Sequence, residues 1–163
     1  MLVHPPAMLA ITLYLTLKSF HVLAAITWVG GAITTQAFAI RVTRSGDAQR
    51  LADFASDVKF IGQRMFTFDS LVVLLLGIWM VIIGPWSFGM TWILFALIVF
   101  GGSFLLGAGF IGPESGRIGK LIEAEGSSSP EVQRRIKRIF LASRIELVFL
   151  ILVVFDMVVK PGA

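Results

Sequence analysis

Long apolar runs separated by short polar tracts set the pattern of this chain. From Ser70 to Pro113 there is no Asp, Glu, Lys, Arg or His, a run long enough for two passages through a hydrocarbon core of ~30 Å at ~20 residues each. An earlier apolar run lies within Leu9 to Ile40, and a last one ends at Val159. The pattern predicts an all-α integral membrane four-helix bundle with spans over 10–40, 66–83, 90–111 and 139–159. Four spans and their connections use up the 163 residues, so a single membrane domain, 1–163, is expected.

The polar tracts set an orientation. Arg41, Arg44, Arg50, Lys59 and Arg64 lie between the first two spans, and Arg117, Lys120, Arg134, Arg135, Lys137 and Arg138 between the last two. Basic connections stay on the cytoplasmic side, whereas Gly84-Pro85-Trp86-Ser87-Phe88-Gly89 is a short uncharged turn that should face outward. Both termini are then outside, and the setting is a bacterial cytoplasmic (inner) membrane crossed several times. No Lys or Arg precedes Lys18 and the first apolar run is too long for a signal peptide, so it is expected to remain in the mature protein. Tyr14, Trp79, Trp86 and Trp92 fall at outer span ends, as an interfacial aromatic belt requires.

Each basic tract carries a helix signal. After Ser45, a candidate N-cap, Leu51, Phe54, Val58, Ile61 and Met65 recur every three or four residues, the stripe of an amphipathic cytoplasmic helix. Such a helix lies on the membrane surface, extends the second span inward or docks a regulatory partner. In the second tract Glu123-Ala-Glu-Gly-Ser-Ser-Ser reads as a flexible connection, and Ser129-Pro130-Glu131 as the start of a long fourth helix. Gly30, Gly31, Thr34 and Thr35, with Gly101, Gly102, Ser103, Gly107 and Gly109, suit close helix approach within the bundle or in a homo-oligomer.

Composition narrows the chemistry. The chain is 56% hydrophobic and 15% charged, with a mean hydropathy of +0.87, which places it in the lipid bilayer. Without cysteine it has no disulfide, thiolate metal site or cysteine nucleophile. The net charge of +4 belongs to the basic connections rather than to a nucleic-acid partner, and none is expected. No P-loop, nucleophile elbow, H-E-x-x-H or dinucleotide motif occurs.

Ionisable groups within spans are costly in hydrocarbon and so mark candidate sites. They are Lys18, His21 and Asp156 toward the outside, and Asp69, Arg144 and Glu146 toward the inside. Lys18 and His21 are three apart and share a helix face. A neutral imidazole suits haem iron, copper, a proton relay or a hydrogen bond between helices, and an ammonium suits a carboxylate or propionate. Lys18 and Asp156 are expected at similar depth, as a pair or around a shared ligand beside His21; alternatively Lys18 snorkels outward and Asp156 pairs with Lys160. Asp69 and Arg144 are expected as a structural ion pair between helices. Gln36 is the only strongly polar residue in the inner half of the first span.

The run Tyr14-Leu15-Thr16-Leu17-Lys18-Ser19-Phe20-His21 followed by Trp28-Val29-Gly30 resembles the first-span signature of the HemJ-type protoporphyrinogen oxidases, a K-x-x-H followed by a W-x-x-G. Arg64-Met65, Leu76-Gly77-Ile78-Trp79-Met80, Arg138-Ile139-Phe140, Glu146 and Val158-Val159-Lys160-Pro161 are similar to further parts of that family. The first span looks equally like copper-resistance D-like proteins and four-helix bacterial membrane proteins of unknown function. The resemblance implies a four-helix bundle binding haem b, with His21 as the metal ligand and Lys18 near a propionate. The oxidases carry a further histidine in the third span, whereas 90–111 has none here and His4 lies outside the spans. A thioether is the remaining soft ligand; Met157, with Met8, Met80 and Met90, projects to the outer half. Two readings stay open: a haem-associated redox protein binding through His21, Lys18, Met157 and Asp156, or a non-catalytic scaffold, partner subunit or copper-handling protein.

Overall fold

The computed structural model describes residues 5–162, giving backbone alone for 5–7 and 61–63; His4 lies outside the described residues. Six α-helices are α1 (Pro5–Ser45), α2 (Ala48–Ile61), α3 (Thr67–Ile83), α4 (Thr91–Leu106), α5 (Gly112–Glu125) and α6 (Pro130–Val159). Single π-turns, Gly62–Phe66 and Gly107–Ile111, join α2 to α3 and α4 to α5 without breaking the rod. The chain is therefore four long helical rods, and no strand occurs among the described residues. Three rods, Met8–Ser45, Ala48–Ile83 and Thr91–Glu125, are long and apolar enough to cross a membrane. The apolar half of α6 carries Arg144, Glu146 and Asp156.

The amphipathic helix extends the second rod, and its stripe faces protein rather than a membrane surface. α2 packs on α1, α5 and α6, and Leu51 and Ala52 join Ala39, Ile118, Val132, Ile136, Ile139 and Phe140 in one buried cluster. Ile61 is outside the described side chains, and Met65 is exposed. Asp47, not Ser45, caps α2: its Oδ1 accepts from the Arg50 N–H at 3.1 Å. Ser45 ends α1, and Gly46 takes the positive φ of 71° that the reversal needs. Residues 123–125, expected in a flexible connection, continue α5, and Gly126 at φ 81° makes the next reversal. Pro130 then opens α6, where its missing N–H costs nothing.

Both reversals at this basic end are tied together. The Gln133 side-chain amide donates to the Ser127 carbonyl at 2.8 Å and the Ala48 carbonyl at 3.3 Å, and the Ser127 hydroxyl donates to Gln49 at 2.8 Å. Glu114, buried on α5, accepts from Arg135 of α6 at 2.6 Å and from Arg117 at 3.3 Å. Arg135 also donates to Glu131 at 2.6 Å. That hydrogen bond holds the Glu131 carboxyl below the usual carboxylate range and, with Glu114, raises the Arg135 guanidinium.

At the opposite end Trp86 donates to the Tyr14 hydroxyl at 2.8 Å and packs edge-on against Trp92, with ring centres 5.3 Å apart. The Lys160 ammonium lies 4.2 Å from the Trp86 ring centre. Trp92 is buried rather than interfacial; it packs with Val81 and Ile93, against Trp86, Met90 and Met157. Gly84 is required by close approach, because a Cβ there would lie 2.6 Å from the Met80 carbonyl oxygen and 3.0 Å from both Trp86 and Tyr14.

The packing order of the rods leaves a gap. α3 packs on α1, α1 on α6 and α6 on α4, so consecutive α3 and α4 flank the bundle rather than pair with each other. Most glycines proposed for close packing have open space beside them; among them Gly31 is close-packed, since a Cβ there would lie 2.8 Å from the Phe66 ring.

Candidate functional site

The gap between α3 and α4 is a cavity of about 730 Å³ in the half of the bundle nearer the basic end. Its size falls within the ~300–1,000 Å³ typical of small-molecule sites. Trp28 of α1 and Phe100 of α4, edge to face with ring centres 6.3 Å apart, both line it. Its walls are mostly apolar, with Phe66, Leu71, Phe104, Ile136, Phe140, Leu147 and Leu150, and α2 and α5 bound it at the basic end. Both π-turns border it through Phe66, Gly107, Ala108 and Ile111. The second precedes Pro113, which has no N–H to continue the i→i−4 ladder.

A few polar groups converge on this apolar space: Thr35, Gln36, Ser70, Ser103, Ser143 and Glu146. Gln36 is 6% exposed. Its amide nitrogen donates to the Phe140 carbonyl at 3.4 Å, while Oε1 is buried with no hydrogen-bond partner. A buried acceptor without a donor costs roughly 1–3 kcal/mol, a penalty that a ligand donor would remove. Glu146 of α6 and Ser103 of α4 both line the cavity, on helices that pack together. Gln36 and Glu146 thus put hydrogen-bond-accepting side chains from two packed helices into the lining of an otherwise apolar space.

The residues predicted as a haem or metal site are not gathered into one by any hydrogen bond or ion pair among the described residues. His21 lies about two helical turns from Trp28 along α1, with its ring against α3, where a Cβ on Gly77 would lie 3.2 Å from its Cε1. Its Nδ1 is buried without a partner. Lys18 is exposed, on an outward α1 face with Leu15, Ser19, Val22 and Ile26. Neither pairing proposed for Asp156 forms: its Oδ2 is buried without a hydrogen-bond partner, and Lys160 sits over Trp86 instead. Met157 packs against the Val81, Trp92 and Ile93 cluster. Within the set His21 Nδ1 and Asp156 Oδ2 are the buried atoms without a partner, and no group of three or more His, Cys, Asp or Glu is placed to hold a metal among the described residues.

The expected Asp69–Arg144 ion pair is also absent. Arg144 is exposed on α6, while Asp69 Oδ2 is buried without a hydrogen-bond partner. Residues two apart on a helix point to nearly opposite sides, and Glu146 takes the inward position that the pair needed. Gln36 and Glu146 stand out in the sequence as polar interruptions of apolar spans, but nothing there places them on one cavity.

Residues 15–161 match the family model described as "Predicted integral membrane protein (DUF2269)". The chain belongs to this family. No curated protein and no solved structure matches it. As a DUF2269 protein it is an integral membrane protein, and its apolar helices sit in a lipid bilayer.

Proposed function

We propose that this DUF2269 protein is an intramembrane binding protein of a bacterial cytoplasmic membrane, with its basic end and the α2 helix on the cytoplasmic side and both termini outside. Its ligand is a small, mainly apolar molecule with a hydrogen-bond-donating head such as a hydroxyl or amine. The observation that carries this reading is a mostly apolar cavity large enough for such a molecule, with Gln36, whose Oε1 has no hydrogen-bond partner, among its lining residues. Glu146 supplies a second acceptor on the facing helix, and the apolar walls take the rest of the ligand. The basic tracts support the orientation through their preference for the cytoplasmic side.

The test is mass spectrometry of small molecules retained by protein purified in detergent. Wild type should retain a donor-bearing amphiphile that Gln36→Leu and the cavity-filling Ala32→Phe both lose, with each variant still monodisperse. Equal retention by all three would sink the reading.

A second reading, haem b at His21, is favoured by the free buried Nδ1 alone. Haem would be held by His21 and would supply one-electron chemistry when bound. Protein expressed with ample haem should then show a Soret band that His21→Ala abolishes and His4→Ala leaves in place. A spectrum with no Soret band excludes this reading and leaves the cavity reading intact.

A further inference from the structure

α6 presents two distinct faces at the basic end of the bundle, about 100° apart round its axis. Toward the interior it places Ile136, Phe140, Glu146 and Leu147. On the second face Lys137, Leu141, Arg144 and Val148 follow one another at spacings of four, three and four, one continuous stripe of a helix. All four are exposed, as are Arg138 and Ile145 beside them.

The basic members of this stripe have no protein counter-charge. Arg134 and Arg135, two residues and one residue before Ile136, are committed to Glu131 and Glu114, but Lys137, Arg138 and Arg144 take part in no ion pair among the described residues. Arg144 is the exceptional one. It stands about 10 Å further along the helix than Lys137, among the exposed apolar side chains Leu141 (55%), Ile145 (52%) and Val148 (53%). In a bilayer this is an arginine on a lipid-facing surface, a position whose cost is reduced by reaching back to the headgroups. What it reaches there is set by its own chemistry: a planar guanidinium pairs bidentately with phosphate. No carboxylate lies on this face to compete, since the nearest one on α6, Glu146, points into the cavity.

We propose that the Lys137–Arg138–Leu141–Arg144–Val148 face of α6 is a binding site for an anionic glycerophospholipid of the adjacent leaflet. Arg144 holds the phosphodiester from the bilayer side, Lys137 and Arg138 hold it from the aqueous side, and an acyl chain lies along Leu141, Ile145 and Val148. The site is independent of the cavity, since none of these residues lines it.

The experiment is native mass spectrometry of the full chain in neutral detergent, titrated with phosphatidylglycerol or with phosphatidylcholine of the same acyl chains. Wild type should retain phosphatidylglycerol in preference to phosphatidylcholine. The triple variant Lys137→Gln, Arg138→Gln, Arg144→Gln should lose the preference, each charge carrying about five-fold in affinity. A control triple with the same charge change elsewhere at the basic end, Arg44→Gln, Arg50→Gln, Lys120→Gln, should keep most of it. Arg144→Lys alone, which keeps the charge and loses the fork, should weaken retention and serves as the reading if the triple is not monodisperse. Equal retention of the two lipids by wild type, equal losses in the two triples, or an unchanged Arg144→Lys would each overturn the site.

Discussion

Single residues at the aromatic end show how little tolerance a helix reversal has. Gly84 ends α3 with its N–H on the Met80 carbonyl at 3.0 Å, and its φ of −94° is open to any residue. What excludes a side chain there is space, since a Cβ would meet the Met80 carbonyl oxygen, Trp86 and Tyr14 together. Neither a carbonyl inside a helix nor two rings joined by a hydrogen bond can yield easily. Gly84→Ala should therefore destabilise the protein by about 1–3 kcal/mol, the usual range for overpacking. Thermal unfolding in detergent checks it, with Gly89→Ala as the comparison, because a Cβ at Gly89 has only the Ser87 hydroxyl nearby, at 3.8 Å. Equal melting of the two variants would refute the steric account. Tyr14, Trp86 and Gly84 stand out in the sequence as interfacial or turn residues, but their mutual contact crosses 72 residues of chain and has no local signal.

At the level of elements, the α5–α6 contact is an electrostatic latch over an apolar cluster. Val132 and Ile136 are almost wholly buried, and on the same stretch of α6 Arg135 joins Glu131 to the buried Glu114. The Glu131 carboxyl is held below its ordinary range, so its contribution to stability is full above that range and is lost as pH falls through it. The raised Arg135 works in the opposite sense and keeps its charge at every pH where the carboxylates are ionised. Melting temperatures of wild type and Glu131→Gln should consequently differ near neutral pH and converge in acid. A gap that stays constant down through the carboxylate range would show that Glu131 acts by packing instead. The helix pattern of α2 and the start of α6 are legible from the spacing of Leu51, Phe54 and Val58 and from Ser129-Pro130. The partner that α2 covers is not, since an apolar stripe specifies a buried face without saying whether lipid or protein buries it.

For the molecule as a whole, orientation and the cavity are coupled. If the basic end is cytoplasmic, the cavity lies in the cytoplasmic half of the bundle, with α2 and α5 at its cytoplasmic end and the Trp28–Phe100 contact among its lining. Single cysteines at Ser45 and Ser128, both exposed in the basic-end reversals, should react with an impermeant maleimide only after the cells are opened. One at Ser87 should react in intact cells, and the reverse pattern would invert the topology together with the side of the membrane on which the cavity lies.

Hydrophobic patterning by itself determined that this chain enters a membrane, how many long helices it forms and where they reverse. Those properties follow from the cost of burying backbone and charge in hydrocarbon, which is met locally along each segment. Which polar residues share a site was decided by tertiary structure. Lys18 and His21 are three residues apart, yet one is turned outward and the other inward against Gly77. Gln36 and Glu146 lie 110 positions apart in the numbering and border one cavity. The reason is that an isolated helix has no inside: the rotation of each rod about its axis is set by what its neighbours cover. Here α1 and α6 pack together, α3 and α4 flank them, and the order of packing opens the space between.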